Sequence, residues 1–189
     1  MGKYREAEEL ETKVLDARIN ILGKGHPETI TSMGSLAKTY NGLGKSAEAE
    51  KLQKQCLDAR IRILGKEHPE TITSVGYLAK IYDSLEKYAE AEKLQKQCLD
   101  AKIMLLGKEH PKTLITMEYL ALTYKHLENY KEAEKLEVQV LKGRARIFGG
   151  AHNFTIQAMK NLTVTYRYLG KDADAEMLEI HIQEAEKSM

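Results

Sequence analysis

The sequence predicts an all-α solenoid, a stack of helical hairpins, and three observations predict it. A motif recurs every 42 residues without insertion: Gly44-Lys45-Ser46-Ala47-Glu48-Ala49-Glu50 returns as Glu86-Lys87-Tyr88-Ala89-Glu90-Ala91-Glu92. Within each period, apolar residues fall at helical spacing in two separate runs. The runs are punctuated at fixed places by a Gly-x-x-His-Pro turn, at Gly23–Pro27, Gly65–Pro69 and Gly107–Pro111. A repeat of this length carrying two helices is one supersecondary unit that cannot bury its own apolar face. Stacking on neighbours supplies the missing surface.

The register extends backward to Gly2-Lys3-Tyr4-Arg5-Glu6-Ala7-Glu8 and forward to Glu128–Glu134 and Gly170–Glu176. Ala47–Ala59 is identical to Ala89–Ala101, which marks recent duplication or selection for uniform units. The longer helix of the first unit carries one stripe at Ala7, Leu10, Val14, Ala17 and Ile21, and another at Leu15, Ile19 and Leu22. Two stripes predict two buried faces. Gly23 is placed to end that helix. Pro27 suits the first position of the next, with Glu28 near its positive end. The shorter helix packs through Ile30, Met33, Leu36, Ala37, Tyr40 and Leu43. Nine helices follow, near 3–22, 27–43, 45–64, 69–85, 87–106, 111–127, 129–148, 153–169 and 171–187. They form one array over 1–189: a lone helix 3–22, then hairpins 27–64, 69–106, 111–148 and 153–187. Neither end reads as a polar cap, so the chain is expected to be part of a longer array.

Composition narrows the function. Lys and Arg number 29 against 28 Asp and Glu, a net charge of +1 that exerts no global pull on nucleic acid or anionic membrane. No apolar run reaches the length of a membrane span, and the polar N-terminus, Met1–Glu6, lacks a signal-peptide core. A cytoplasmic location is expected. Cys56 and Cys98 occupy one position in two repeats. Packed helices hold such positions about 9–10 Å apart, too far for a disulfide. Both read as small buried residues. His26, His68, His110 and His152 also recur once per repeat, which keeps them from converging on a metal. They are expected to cap the helix that follows or to pack at the turn. The Glu-Ala-Glu pairs open each long helix, where acids favour the dipole. No phosphate loop, nucleophile elbow or Cys-x-x-Cys occurs. No catalytic activity, metal or cofactor is expected.

Leu36-Ala37-x-x-Tyr40, followed by Ala49 and Cys56-Leu57, resembles the tetratricopeptide signature. It returns as Leu78, Ala79, Tyr82, Ala91 and Cys98, as Leu120, Ala121, Tyr124, Ala133 and Val140, and as Leu162, Thr163, Tyr166, Ala175 and Ile182. The 42-residue length and the Leu64–Pro69 turn resemble the kinesin light chain and nephrocystin-3 type. Similar arrays form the sensor ends of STAND and NLR-like nucleotide-switch proteins. The resemblance implies a right-handed superhelix whose shorter helices line a concave groove, a protein-binding scaffold, and array ends open to oligomerisation. Kinesin-light-chain-like repeats carry two asparagines before the leucine-alanine pair. Here those positions are Gly34-Ser35, Gly76-Tyr77, Glu118-Tyr119 and Lys160-Asn161, of which Asn161 matches.

In that register the groove positions vary while the core stays fixed. They are Thr31, Gly34, Lys38 and Asn41; Thr73, Gly76, Lys80 and Asp83; Ile115, Glu118, Leu122 and Lys125; Gln157, Lys160, Val164 and Arg167. Tyr77, Tyr119 and Asn161 stand beside them as further contact candidates. Gly34 and Gly76 either expose backbone to a ligand or pack against a bulky neighbour. Lys38, Lys80, Lys125, Lys160 and Arg167 outnumber Asp83 and Glu118. That surplus predicts an acidic peptide as partner. The alternative is a ligand-sensing, oligomerising region of a STAND or NLR-like protein.

Overall fold

The computed structural model describes residues 2–187, with side chains from Tyr4 onward. The expected array ends Met1 and Ser188–Met189 lie outside the described residues, as does the side chain of Lys3. The described residues form helices α1 (Gly2–Leu22), α2 (Pro27–Gly42), α3 (Ser46–Leu64), α4 (Pro69–Ser84), α5 (Tyr88–Leu106), α6 (Pro111–His126), α7 (Tyr130–Phe148), α8 (Asn153–Tyr168) and α9 (Asp172–Lys187). Every expected boundary agrees to within one residue, and the described residues contain no strand.

The turns explain that agreement. Each short helix begins on a histidine whose Nδ1 accepts a backbone N–H two residues on: His26 from Glu28, His68 from Glu70, His110 from Lys112 and His152 from Phe154, at 3.1–3.2 Å. The imidazole thus supplies the oxygen-like acceptor that a helix start requires. Each α1, α3, α5 and α7 stops at a glycine, Gly23, Gly65, Gly107 or Gly149, with φ between 85° and 89°. A side chain would be strained there.

The chain divides into two compact units, Met1–Ala101 and Lys102–Met189. In the first, α1 packs on α2, α2 on α3 and α3 on α4, and α2 also touches α4. One core cluster holds Leu15, Ile30, Met33, Leu36, Cys56 and Ala59, with Ile19, Tyr40 and Leu52 packed against it. Ala37, Ala49, Ala79 and Ala91 are fully buried, which is how the helices approach closely. Cys56 and Cys98 are buried and not disulfide-bonded. Their thiols contact the carbonyls of Ile30 and Ile72 at 3.4 and 3.5 Å. Burial pushes the Cys56 thiol above its usual range. A salt-bridge ladder joins successive long helices through Lys45–Glu8 and Lys87–Glu50.

One expectation for this unit changes. Of the two stripes of α1, Leu15 is buried and Ala7 and Ile19 are half-buried, while Leu22 is exposed. Leu10, Val14 and Ile21 of the Ala7 stripe are exposed. At the matching position Cys56 is covered because α2 lies over it, its Sγ touching the Ile30 carbonyl. α1 turns that face away from α2.

In the second unit α6 packs on α7, α7 on α8 and α8 on α9. Its core includes Leu114, Met117, Leu120, Ala121, Tyr124, Val140, Ile156, Leu162 and Ile182. Tyr124 is buried, whereas Tyr40, Tyr82 and Tyr166 are half-buried with lysine ammonium groups 5.4–5.8 Å from their rings. Gly143, a helix weak point by propensity, is tightly packed. A Cβ there would lie 2.8 Å from Leu114 Cδ1, so Leu114 already fills the missing volume.

Candidate peptide-binding groove

Four positions on each short helix were assigned to the groove, and the structure sorts them by depth. The first and third are exposed in every hairpin: Thr31 and Lys38, Thr73 and Lys80, Ile115 and Leu122, Gln157 and Val164. The second faces the following long helix. Gly34 is buried, and a Cβ on it would come 3.4 Å from Cys56 Sγ; on Gly76 it would come 3.2 Å from Cys98 Sγ. Tight packing against a sulfur favours glycine at Gly76, whereas at Gly34 a Cβ would make an ordinary contact. The fourth positions Asn41, Asp83 and Lys125 are half-buried and Arg167 is exposed.

In the first unit Tyr4, Lys38, Asn41, Tyr77 and Lys80 line an open cleft of about 360 Å³. The Lys38 ammonium lies 4.1 Å from the Tyr77 ring centre, an arrangement that holds the charge over an aromatic face while leaving it exposed. Asn41 Nδ2 reaches Ser84 Oγ at 3.3 Å and its Oδ1 accepts from Ser46.

In the second unit the groove cations are neutralised locally. Lys125 Nζ is 2.8 Å from Glu137 Oε1, and Arg144 Nη2 is 2.5 Å from Glu118 Oε2. Lys160 bridges to Glu186 at 2.8 Å and Arg167 to Glu179 at 2.7 Å. The hydrogen bond that Arg167 donates to Glu179 holds its guanidinium above its usual range. Burial pushes the Glu118 carboxyl up, against the lowering pull of Arg144. Three of the cations counted from sequence, Lys125, Lys160 and Arg167, thus already face carboxylates in the second unit. Ile115, Glu118, Tyr119, Leu122, Lys125 and Asn161 share one open cleft of about 490 Å³. Val164 is exposed on α8.

Sequence reasoning passed over Glu137, Arg144 and Phe154, which line that same cleft. The repeat register carried the signal. Glu137 stands where Gln53 and Gln95 stand, and Phe154 where Glu28 and Glu70 stand. Among the described residues no three His, Cys, Asp or Glu side chains gather as a metal site, and no helix is long and apolar enough to cross a membrane.

Comparison with known proteins fits this geometry. No curated protein sequence matches the chain. Among solved structures, a Podosopora anserina protein assigned as a kinesin light chain, with nearly identical TPR-like repeats, superposes with a TM-score of 0.86 at 27% identity. The match covers 99% of this chain and 88% of that one. BtubC (BKLC) from P. vanneervenii matches in fold with a TM-score of 0.87 at 22% identity, over 100% of this chain and 75% of that one. MamA shares the fold more distantly, with a TM-score of 0.66 at 17% identity, over 99% of this chain and 91% of its own. The tetratricopeptide repeat profile matches residues 1–62, 43–104 and 85–146, so the chain belongs to the tetratricopeptide repeat family.

Proposed function

We propose that this array is a protein-interaction scaffold that holds an acidic peptide segment against its short helices. The observation that carries the reading is the cleft of the first unit, where Lys38 and Lys80 flank Tyr77 and both lysines are exposed. A flexible acidic segment meets two ammonium groups and an aromatic face there. The protein works by binding alone, without catalysis, and acts in the cytoplasm.

The test uses a fluorescent poly-glutamate peptide and the full chain. Lys38→Glu/Lys80→Glu should abolish binding while leaving the helical signal and melting temperature unchanged, because exposed charges contribute little to stability. Binding should also weaken as salt shortens the screening length from about 10 Å at 0.1 M to about 3 Å at 1 M. Affinity that survives both the double reversal and high salt overturns the reading.

A second reading rests on the identity of Ala47–Ala59 with Ala89–Ala101. Uniform repeats duplicate readily, as suits the ligand-sensing, oligomerising region of a STAND or NLR-like protein. The exposed Leu10, Val14 and Ile21 face of α1 would then be an association surface. Nucleotide-binding motifs encoded in the same gene would favour it.

A further inference from the structure

The cleft of the second unit differs from the first hairpins in two ways: Glu118 stands for Gly34 and Gly76 and Glu137 for Gln53 and Gln95, and several polar positions become apolar. Relative to the first two hairpins, Ile115 replaces Thr31 and Thr73, and Leu122 replaces Lys38 and Lys80. Phe154 replaces Glu28 and Glu70, and Ala158 replaces Ser32 and Ser74. All four replacements are polar to apolar, and all four line the same cleft. They do not build a core, because Ile115, Leu122 and Phe154 remain 44%, 40% and 52% exposed. Tyr119, also in this wall, is 40% exposed.

The charges below this wall pair with one another, with Glu137 Oε2 buried and left without a hydrogen-bond partner. In the first unit Arg60 donates to Ser74 Oγ at 2.7 Å and bridges to Glu70. In the last hairpin both partners are gone, since Ala158 and Phe154 occupy their places. Arg144 turns instead to Glu118 and lies 5.4 Å from the Phe154 ring. Lys125 is held by Glu137. Two cations are thus matched by two carboxylates, and no unbalanced charge remains for an ionic ligand.

We infer that this α6–α8 cleft takes an uncharged apolar side chain from the partner segment. The inference deepens the scaffold reading and rests on it, but concerns a different site from Lys38 and Lys80. A charged side chain would lose its hydration here without gaining a counter-charge. An uncharged apolar one covers Ile115, Tyr119, Leu122 and Phe154 and leaves both ion pairs intact.

The experiment titrates the full chain with three capped probes, N-acetyl-leucine amide, N-acetyl-phenylalanine amide and N-acetyl-glutamate, following backbone amide shifts by NMR. The two apolar probes should move the amides of Ile115, Tyr119, Leu122 and Phe154, equally at about 0.1 M and about 1 M salt. N-acetyl-glutamate should not. Leu122→Lys, which restores the residue found on α2 and α4, should weaken the apolar probes at least tenfold, and Ile115→Thr should do so by a smaller factor. Shifts confined to other residues, no shifts at all, shifts that survive Leu122→Lys, or stronger binding of N-acetyl-glutamate would overturn the inference. The outcome is separable from the acidic-peptide reading, because Lys38→Glu/Lys80→Glu should leave the apolar probes unaffected. Loss of poly-glutamate dependence on those lysines would remove the acidic reading and leave the apolar cleft standing.

Discussion

Glu86 and Glu128 sit at φ 58° and 56°, in the left-handed region, while the matching positions of the flanking repeats are Gly44 and Gly170 at φ 76° and 69°. The turn between short and long helix demands that conformation in every hairpin. A side chain there costs about 1–2 kcal/mol, and glycine gives part of that back by loosening the unfolded chain. Glu86→Gly and Glu128→Gly should therefore each stabilise the protein by about 0.5–1 kcal/mol, read from chemical denaturation midpoints at constant m-value. A destabilisation at either site would mean that the glutamate side chain contributes more than its backbone loses. Two carboxyls carry opposite pH signatures. Hydrogen bonds from Lys54 and Lys87 hold Glu50 below its usual range. Its contribution is then present above the ordinary carboxylate range and lost as pH falls. Burial raises Glu118. Its contribution is present at low pH and lost as pH rises through the raised value. Between about pH 6 and about pH 3, Glu50→Gln should flatten the fall in melting temperature, and Glu118→Gln should steepen it.

At the scale of the element, the four hairpins behave as a substitution series made by the protein itself. Arg60 bonds Ser74 and Glu70, whereas Arg144 has Ala158 and Phe154 at those places and takes Glu118 instead. Arg144 is 8% exposed, so losing Glu118 would leave a buried cation short of a partner. Glu118→Ala should cost about 2–3 kcal/mol, and adding Ala158→Ser should recover about half by rebuilding the hydroxyl partner. If the double variant is no more stable than the single one, the hydroxyl does not substitute for the carboxylate. This substitution logic also explains what was legible. Helix boundaries could be read to one residue because each is written several times, as a glycine stop and a histidine–proline start. The ion pairs could not. Lys125 and Glu137 are 12 residues apart and Glu118 and Arg144 are 26 apart, on different helices. Only the packing decides that such positions meet. The same holds for Gly34, since periodicity marks it as off the main apolar stripe but does not say whether it faces solvent or the next long helix.

Across the whole molecule, uniform repeats imply evenly spread stability, so a local departure should be visible as local opening. The segment 143–153 is the clearest departure. Gly143 costs about 1 kcal/mol in a helix interior relative to the alanine found in other copies. Asn153 forgoes the roughly 0.4–1 kcal/mol that a compatible proline supplies by restricting the unfolded chain. Ala145 replaces Ile19, Ile61 and Ile103, and those isoleucines are only half-buried, so the loss falls short of a full core truncation. Two features oppose these terms. Leu114 fills the volume beside Gly143. Phe148 stacks on His152 at 4.8 Å and meets Phe154 edge-on at 5.4 Å, contacts worth about 0.5–1.5 kcal/mol each. The aromatic cluster is anchored at the turn and on α8, so it supports 148–154 more than the helix end preceding it. The balance leaves residues 143–153 easier to open by about 1 kcal/mol than the matching segment 101–111, where Ala101, Ile103 and Pro111 are in place. Amide hydrogens of 143–153 should accordingly exchange several-fold faster under native conditions. The difference should be largest at 143–147 and smallest beside Phe148 and Phe154. Equal protection in the two segments would show that Leu114 and the aromatic cluster fully restore what the substitutions remove.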